Sequence, residues 1–229
     1  MGRARADALT KMLLACGAVS GFGFIAVVEV EGVIRPYYDP LSRPVSMLSL
    51  GAGGWIQVAN FVIAGLLMLA CAVGLRRALP KGRATIWGPI LIGINGLGLI
   101  GAGAFNVDPS HGYPTGTPLG LATAVTWHGH LHSLASLIAF VSMALACFVF
   151  GRRFAAYSAG SLWAAYSILT GVAILGFLVA ATVAWSGSGG FGGLLQRTSI
   201  YAGRVWIGLL TIWIARRVGT PHNVKTPSR

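Results

Sequence analysis

Long apolar runs separated by short polar breaks dominate this chain. Six runs reach the length that a helix needs to cross a bilayer: residues 12–30, 55–75, 85–105, 125–150, 160–185 and 199–215. A hydrocarbon core of about 30 Å takes roughly 20 helical residues. Only a helix satisfies all of its backbone amides within its own segment, and the ten-residue alternation of barrel strands is nowhere visible. The pattern therefore predicts an all-α polytopic membrane protein with six transmembrane helices in one bundle. No internal repeat or linker divides it, so residues 1–229 read as a single domain.

Charge sets the expected orientation. The chain carries 17 Lys and Arg against 5 Asp and Glu. Thirteen basic residues fall on one side: Arg3, Arg5 and Lys11 at the amino end, and Arg76, Arg77, Lys81 and Arg83 between spans two and three. Arg152 and Arg153 follow span four, and Arg216, Arg217, Lys225 and Arg229 follow span six. Arg35, Arg43, Arg197 and Arg204 remain for the other side. The positive-inside rule places both termini in the cytoplasm. The net charge of +12 arises from short clusters between apolar runs, with no aromatic-interleaved basic stripe, so membrane lipids rather than nucleic acid are the expected partners.

Candidate chemistry gathers at the opposite, outer face. Its connections are long, and Glu29, Glu31, Asp39, Asp108, His111, His128, His130 and His132 lie in or beside them, leaving only His222 among the histidines in the cytoplasmic tail. His128 and His132 are four apart on the predicted fourth helix and share a face, which Ser136 continues. Asp108, just past span three, completes a candidate polar cluster of Asp108, His128, His132 and Ser136. With Asp108, the two histidines offer a ligand set for a divalent metal such as zinc; the alternative is that the histidines hydrogen-bond to neighbouring helices and the carboxylate orients a loop. Haem fits poorly, because two axial ligands must approach from opposite faces of the ring. Arg197 and Arg204, near the start of span six, are expected to meet lipid headgroups or to pair with an acid such as Asp108.

Other features read as structural. Gly96, Gly98 and Gly101 match a dinucleotide-binding pattern, but they fall inside an uncharged span and are better explained by close helix contact. Asn60 and Asn95 suit interhelical hydrogen bonds. Trp55, Trp127, Trp185 and Trp206 are expected in an outer aromatic belt. Cys16, Cys71 and Cys147 lie within apolar runs, without metal-type spacing. The loop from Asp39 to Gly51 mixes turn formers with an apolar stretch too short to span, and reads as an interfacial or re-entrant cap.

Several of these segments together resemble a known family. They are Ser-x-x-Ser-Leu-Gly from Ser46, then Trp55, Asn60 and Arg76-Arg77, then Phe105-Asn106-Val107-Asp108-Pro109. His128-Gly129-x-x-His132 and the Gly-Leu-Leu-Gln-Arg that ends at Arg197 complete the set. They resemble the prokaryotic membrane family catalogued as domain of unknown function 998, over nearly the whole chain. The loop between Asp108 and His128 departs from the family pattern by its length and by His111 and His130. The resemblance implies a six-helix inner (plasma) membrane protein and supplies no activity. From the residues, two functions stand open. One is a non-enzymatic protein that binds or senses a lipid or small amphiphile in an outer-facing pocket. The alternative is a metal-dependent membrane hydrolase acting on lipid-like substrates through Asp108, His128 and His132.

Overall fold

The computed structural model describes residues 2–80, 83–120, 122, 124–156, 160–186 and 190–219. Lys81, His222, Lys225 and Arg229 lie outside the described residues, as does the side chain of Arg83. The described chain is helical: α1 (Gly2–Ile34), α2 (Gly54–Ala78), α3 (Arg83–Ala104), α4 (Trp127–Ala155), α5 (Ser161–Ser186) and α6 (Gly192–Ala215). A short 3₁₀ helix, Val45–Ser49, sits between α1 and α2. All six α-helices are long and apolar enough to cross a membrane.

The helices form a ring. Each packs mainly on its neighbours in sequence, and α6 closes the ring against α1. Contacts across the ring are sparse. Small residues make the close approaches possible, as the glycine pattern predicts. A Cβ on Gly98 would lie 2.8 Å from the Ala135 carbonyl of α4, and one on Gly65 would lie 2.6 Å from the Gly96 carbonyl of α3. Gly96, Gly98 and Gly101 are thus interior to α3 and serve helix contact. Asn60 Nδ2 donates to the Phe24 carbonyl of α1 at 3.3 Å, and Asn95 Nδ2 donates to the Ala139 carbonyl of α4 at 2.8 Å. Both asparagines are interhelical ties.

One half of the ring is solid. Trp206, Phe150, Leu210 and Ile207 are fully buried, and Phe154 meets Trp213 edge to face at 5.4 Å. The start of α1 and the segment that follows α6 meet at one end of the bundle, where Gly219 approaches the Asp7 side chain. The other half is hollow and roofed by the first long loop. Glu31 and Arg35 form an ion pair at 2.9 Å, the only one among the described residues. From there Arg35 reaches the Leu48 and Leu50 carbonyls at 2.9 and 3.2 Å. Val45, Met47 and Leu48 are buried beneath the loop. The apolar stretch predicted as a cap does roof the bundle, at the end opposite the start of α1.

Three boundaries differ from the sequence expectation. α1 runs back to Gly2 through Arg3, Arg5 and Lys11, since long basic side chains leave a water-exposed helical turn intact. α4 starts at Trp127, where Thr126 supplies an N-cap. α6 starts at Gly192 rather than near residue 199, because its polar residues Gln196 and Arg197 bond to the cap loop instead of to water. Trp206 consequently sits deep in the bundle, donating to Ser167 Oγ at 3.0 Å. It does not belong to an outer belt.

Candidate functional site

The amino-terminal end of α4 is fixed by Asp108. Its Oδ2 accepts the Thr126 backbone N–H at 2.9 Å, and its Oδ1 accepts the Thr126 hydroxyl at 2.7 Å. Thr126 Oγ1 in turn accepts the Gly129 N–H at 3.2 Å, closing the first turn. A carboxylate at a helix N-terminus also faces the positive end of the helix dipole. Gly129 is required there, because a Cβ at that position would collide with the Asp108 carboxylate.

The two histidines part company one turn further in. His132 is buried, and its Nδ1 lies 2.9 Å from both the Ala102 and Phe105 carbonyls. It therefore donates from Nδ1 to carbonyls that the end of α3 leaves without helical partners, and Nε2 is the ring's acceptor. His128 is exposed and stacks on Trp127. Four residues of helix lift it about 6 Å along the axis, beyond the end of α3. Asp108 is thus committed to Thr126, and His132 Nδ1 to α3. Among the described residues, no three His, Cys, Asp or Glu side chains converge as a metal-ligand group.

What the sixth and fourth helices enclose instead is a cavity of about 330 Å³ in the hollow half of the ring. Its walls are mostly apolar, with Phe24, Phe61, Leu99, Phe140, Met143 and Ile174 among them. Pro44, Val45 and Ser46 of the cap loop form its roof. Polar groups enter from several helices: Asn95, His132, Ser133, Ser136, Gln196, Ser199 and Arg204. Ser136 and His132 of the predicted cluster face this space, whereas Asp108 and His128 do not line it. Of the residues around the cavity, only Ser133, Leu137 and Thr182 are exposed, and they belong to α4 and α5. The cavity thus reaches the surface sideways, through the α4–α5 seam. At 1.5 Å per residue, Ser133 and Leu137 lie about 9 and 15 Å from the start of α4, within the span rather than above it.

Both outer arginines of α6 are buried, each 5 % exposed. Arg197 belongs to the roof. Its Nε donates to the Pro40 carbonyl at 3.1 Å and its Nη2 to the Tyr38 hydroxyl at 2.8 Å. Tyr38 passes the link on to the Arg43 and Pro44 carbonyls at 3.2 and 3.0 Å. Burial pushes the Tyr38 phenol above its ordinary range despite the nearby guanidinium, so it stays a donor. Gln196 Oε1 accepts the Val45 N–H at 2.9 Å, and Trp185 Nε1 donates to the Ser42 carbonyl at 2.9 Å. In the same loop, Ser42, the Leu41 N–H and Arg43 outweigh the opposing effect of burial and hold the Asp39 carboxyl below its ordinary range. Arg204 is different. It lies over the Phe24 ring at 4.5 Å and donates to Ser20 Oγ at 3.5 Å. Pairing with Asp108 does not occur, since that carboxylate is taken by Thr126.

Tyr38 and Phe24 were not singled out by the sequence pattern, Arg35 entered it only as a charge and Gln196 only within a family segment, although the four build the roof and one wall. A readable signal existed for α6: Arg197 and Arg204 are seven apart, two helical turns on one face, and that face also carries Ile200. An apolar helix with two arginines on its inward face points to a polar interior.

A six-helix bundle, apolar outside and hollow beneath a loop cap, with a side opening inside the span, defines an integral membrane protein of the multi-pass class. Over residues 18–213 the chain matches the family described as "Protein of unknown function (DUF998)". It belongs to that family, in agreement with the resemblance read from its motifs. No curated protein matches it, and no solved structure does.

Proposed function

We propose that the chain is a prokaryotic inner-membrane protein, both termini cytoplasmic, that binds or senses a lipid or small amphiphile in the cavity at its outer face. The carrying observation is the cavity's side opening between α4 and α5, at Ser133, Leu137 and Thr182. A site for a water-soluble ligand would open through its roof. Here the roof is tied down by Arg35, Gln196 and Arg197, and entry lies in the plane of the lipid. Apolar walls with a few convergent polar groups are what an amphiphile requires, and about 330 Å³ falls at the low end of the roughly 300–1,000 Å³ range of ligand pockets. The outward placement rests on the thirteen basic residues at the opposite end of the chain's spans.

The test is mass spectrometry of lipid that co-purifies with wild type and with Ser136→Trp, which fills the cavity. Wild type should retain about one amphiphile per chain, as one pocket of this volume predicts, and the variant should lose most of it. Equal retention in two samples of equal thermal stability would sink the reading. Turnover of an ester or amide lipid that depends on His128 would replace it with the hydrolase alternative.

A further inference from the structure

The chain's few acids leave Arg204 without a countercharge. Glu31 holds Arg35, Asp108 holds Thr126, and Asp39 accepts from Leu41 and Ser42 in the cap. Glu29 accepts from the Tyr201 hydroxyl, and Asp7 stands at the far end of α1, beside Gly219. Those are all five acidic residues. Arg204 itself sits twelve residues into α6, about 18 Å from its outer start and near the middle of the span. A guanidinium at that depth is costly, and such residues are normally paired or mark the path of a charged ligand. Among the described residues its side chain is met by one long hydrogen bond to Ser20 and by the Phe24 face. A guanidinium carries five N–H donors in a planar fork, and this one borders the cavity.

Building on the proposed function, we infer that the cavity takes a single-chain amphiphile with an anionic head, a carboxylate or a phosphate, whose oxygens pair with Arg204. The Ser136 hydroxyl borders the same cavity as a neutral donor, whereas Ser20 and Ser199 give their single protons to the Ala64 and Ile174 carbonyls, and among the described residues no carboxylate lines the cavity to repel such a head. The tail leaves through the α4–α5 seam past Leu137 and Leu178. One chain suits the modest volume; a two-chain lipid would need a wider mouth.

The probes are tetradecanoate, tetradecyl phosphate and tetradecanol, radiolabelled and bound to the full chain in nanodiscs, with empty nanodiscs subtracted. At least one of the anions should bind saturably and about tenfold or more tighter than the alcohol, the size of a charge-assisted contact. Arg204→Gln should bring the anions down to the alcohol's affinity while leaving the alcohol unchanged, and Arg204→Lys should keep part of the preference. If the alcohol binds wild type as tightly as both anions, the inference fails while the amphiphile cavity stands. If no probe binds saturably, both fail together. The wild-type comparison needs no variant to fold.

Discussion

From the sequence Asp108 is either a metal ligand or a carboxylate that orients a loop, and its geometry gives it a capping task that a stability measurement can isolate. Asp108→Ala removes two hydrogen bonds to Thr126, at 2.9 and 2.7 Å, and the negative charge at the α4 N-terminus. Losing a cap interaction costs about 1 kcal/mol, and a hydrogen bond to a charged group is worth about 1.5–3 kcal/mol. Asp108 is only half-buried, and the contributions overlap, so about 2 kcal/mol is the expected total. For a chain of this size each kcal/mol moves Tm by about 2–4 °C, giving a fall of about 4–8 °C. The assay is thermal unfolding in detergent of wild type, Asp108→Ala, Thr126→Ala and the double variant. Because both side chains serve one cap, the double variant should be little worse than Asp108→Ala alone, with a coupling of about 1 kcal/mol. Additive losses, or a Tm change below about 1 °C for Asp108→Ala, would refute the latch. A chelator should leave the wild-type Tm in place. If it lowered the wild-type Tm and not that of Asp108→Ala, the carboxylate would be holding an ion instead.

Two further outcomes test the packing and the orientation. Gly98→Val drives a side chain into the Ala135 carbonyl and the Ala139 backbone nitrogen, so it should separate α3 from α4, break the Asn95 tie and lower Tm by several degrees. Gly23→Ala has open space around it and should be neutral or slightly stabilising in the same melt. For orientation, a cysteine at Thr115 should react with an impermeant maleimide in intact cells, while one at Ala156 should react only after permeabilisation. The reverse labelling would invert the topology.

The spans were legible because each contains enough consecutive apolar residues to leave helix as the only satisfied backbone. The first turns of α6 were not, because Gln196 and Arg197 look like loop residues until their partners are known. Those partners, Val45 and Pro40, lie about 150 residues away, and no local pattern encodes that pairing. The histidine pair shows the complementary limit. Helical periodicity assigns His128 and His132 to one face, but it does not say where the neighbouring helix ends. Since α3 stops at Ala104, His132 finds carbonyl acceptors and His128 finds water and Trp127. Asn60, Asn95 and the glycines of α3 were readable, because a polar or missing side chain inside an apolar span has few structural uses besides a tie or a close approach.

The distribution of polar groups through the bundle argues for where function lies. Most small polar side chains within the spans are answered by the protein: Ser142, Ser167, Thr170 and Thr211 bond back to their own helices, Asn60 and Asn95 bond across to neighbours, and His132 closes the end of α3, although the Gln57 amide nitrogen and the Asn95 amide oxygen stay buried without a partner. A bundle that only needed to be stable would finish that accounting and fill its axis, as the half around Trp206 and Phe150 does. The roofed half instead keeps a void, holds a roof over it through Arg35, Gln196 and Arg197, and places a charge against it. Packing a void with methyl groups is the easier route to stability, and an arginine at mid-span is among the costlier residues to retain, so the two features together fit the proposal that an amphiphile enters between α4 and α5 and meets Arg204. The seam, rather than the histidine cluster at its rim, is therefore where substitutions should alter what the protein binds without altering whether it folds.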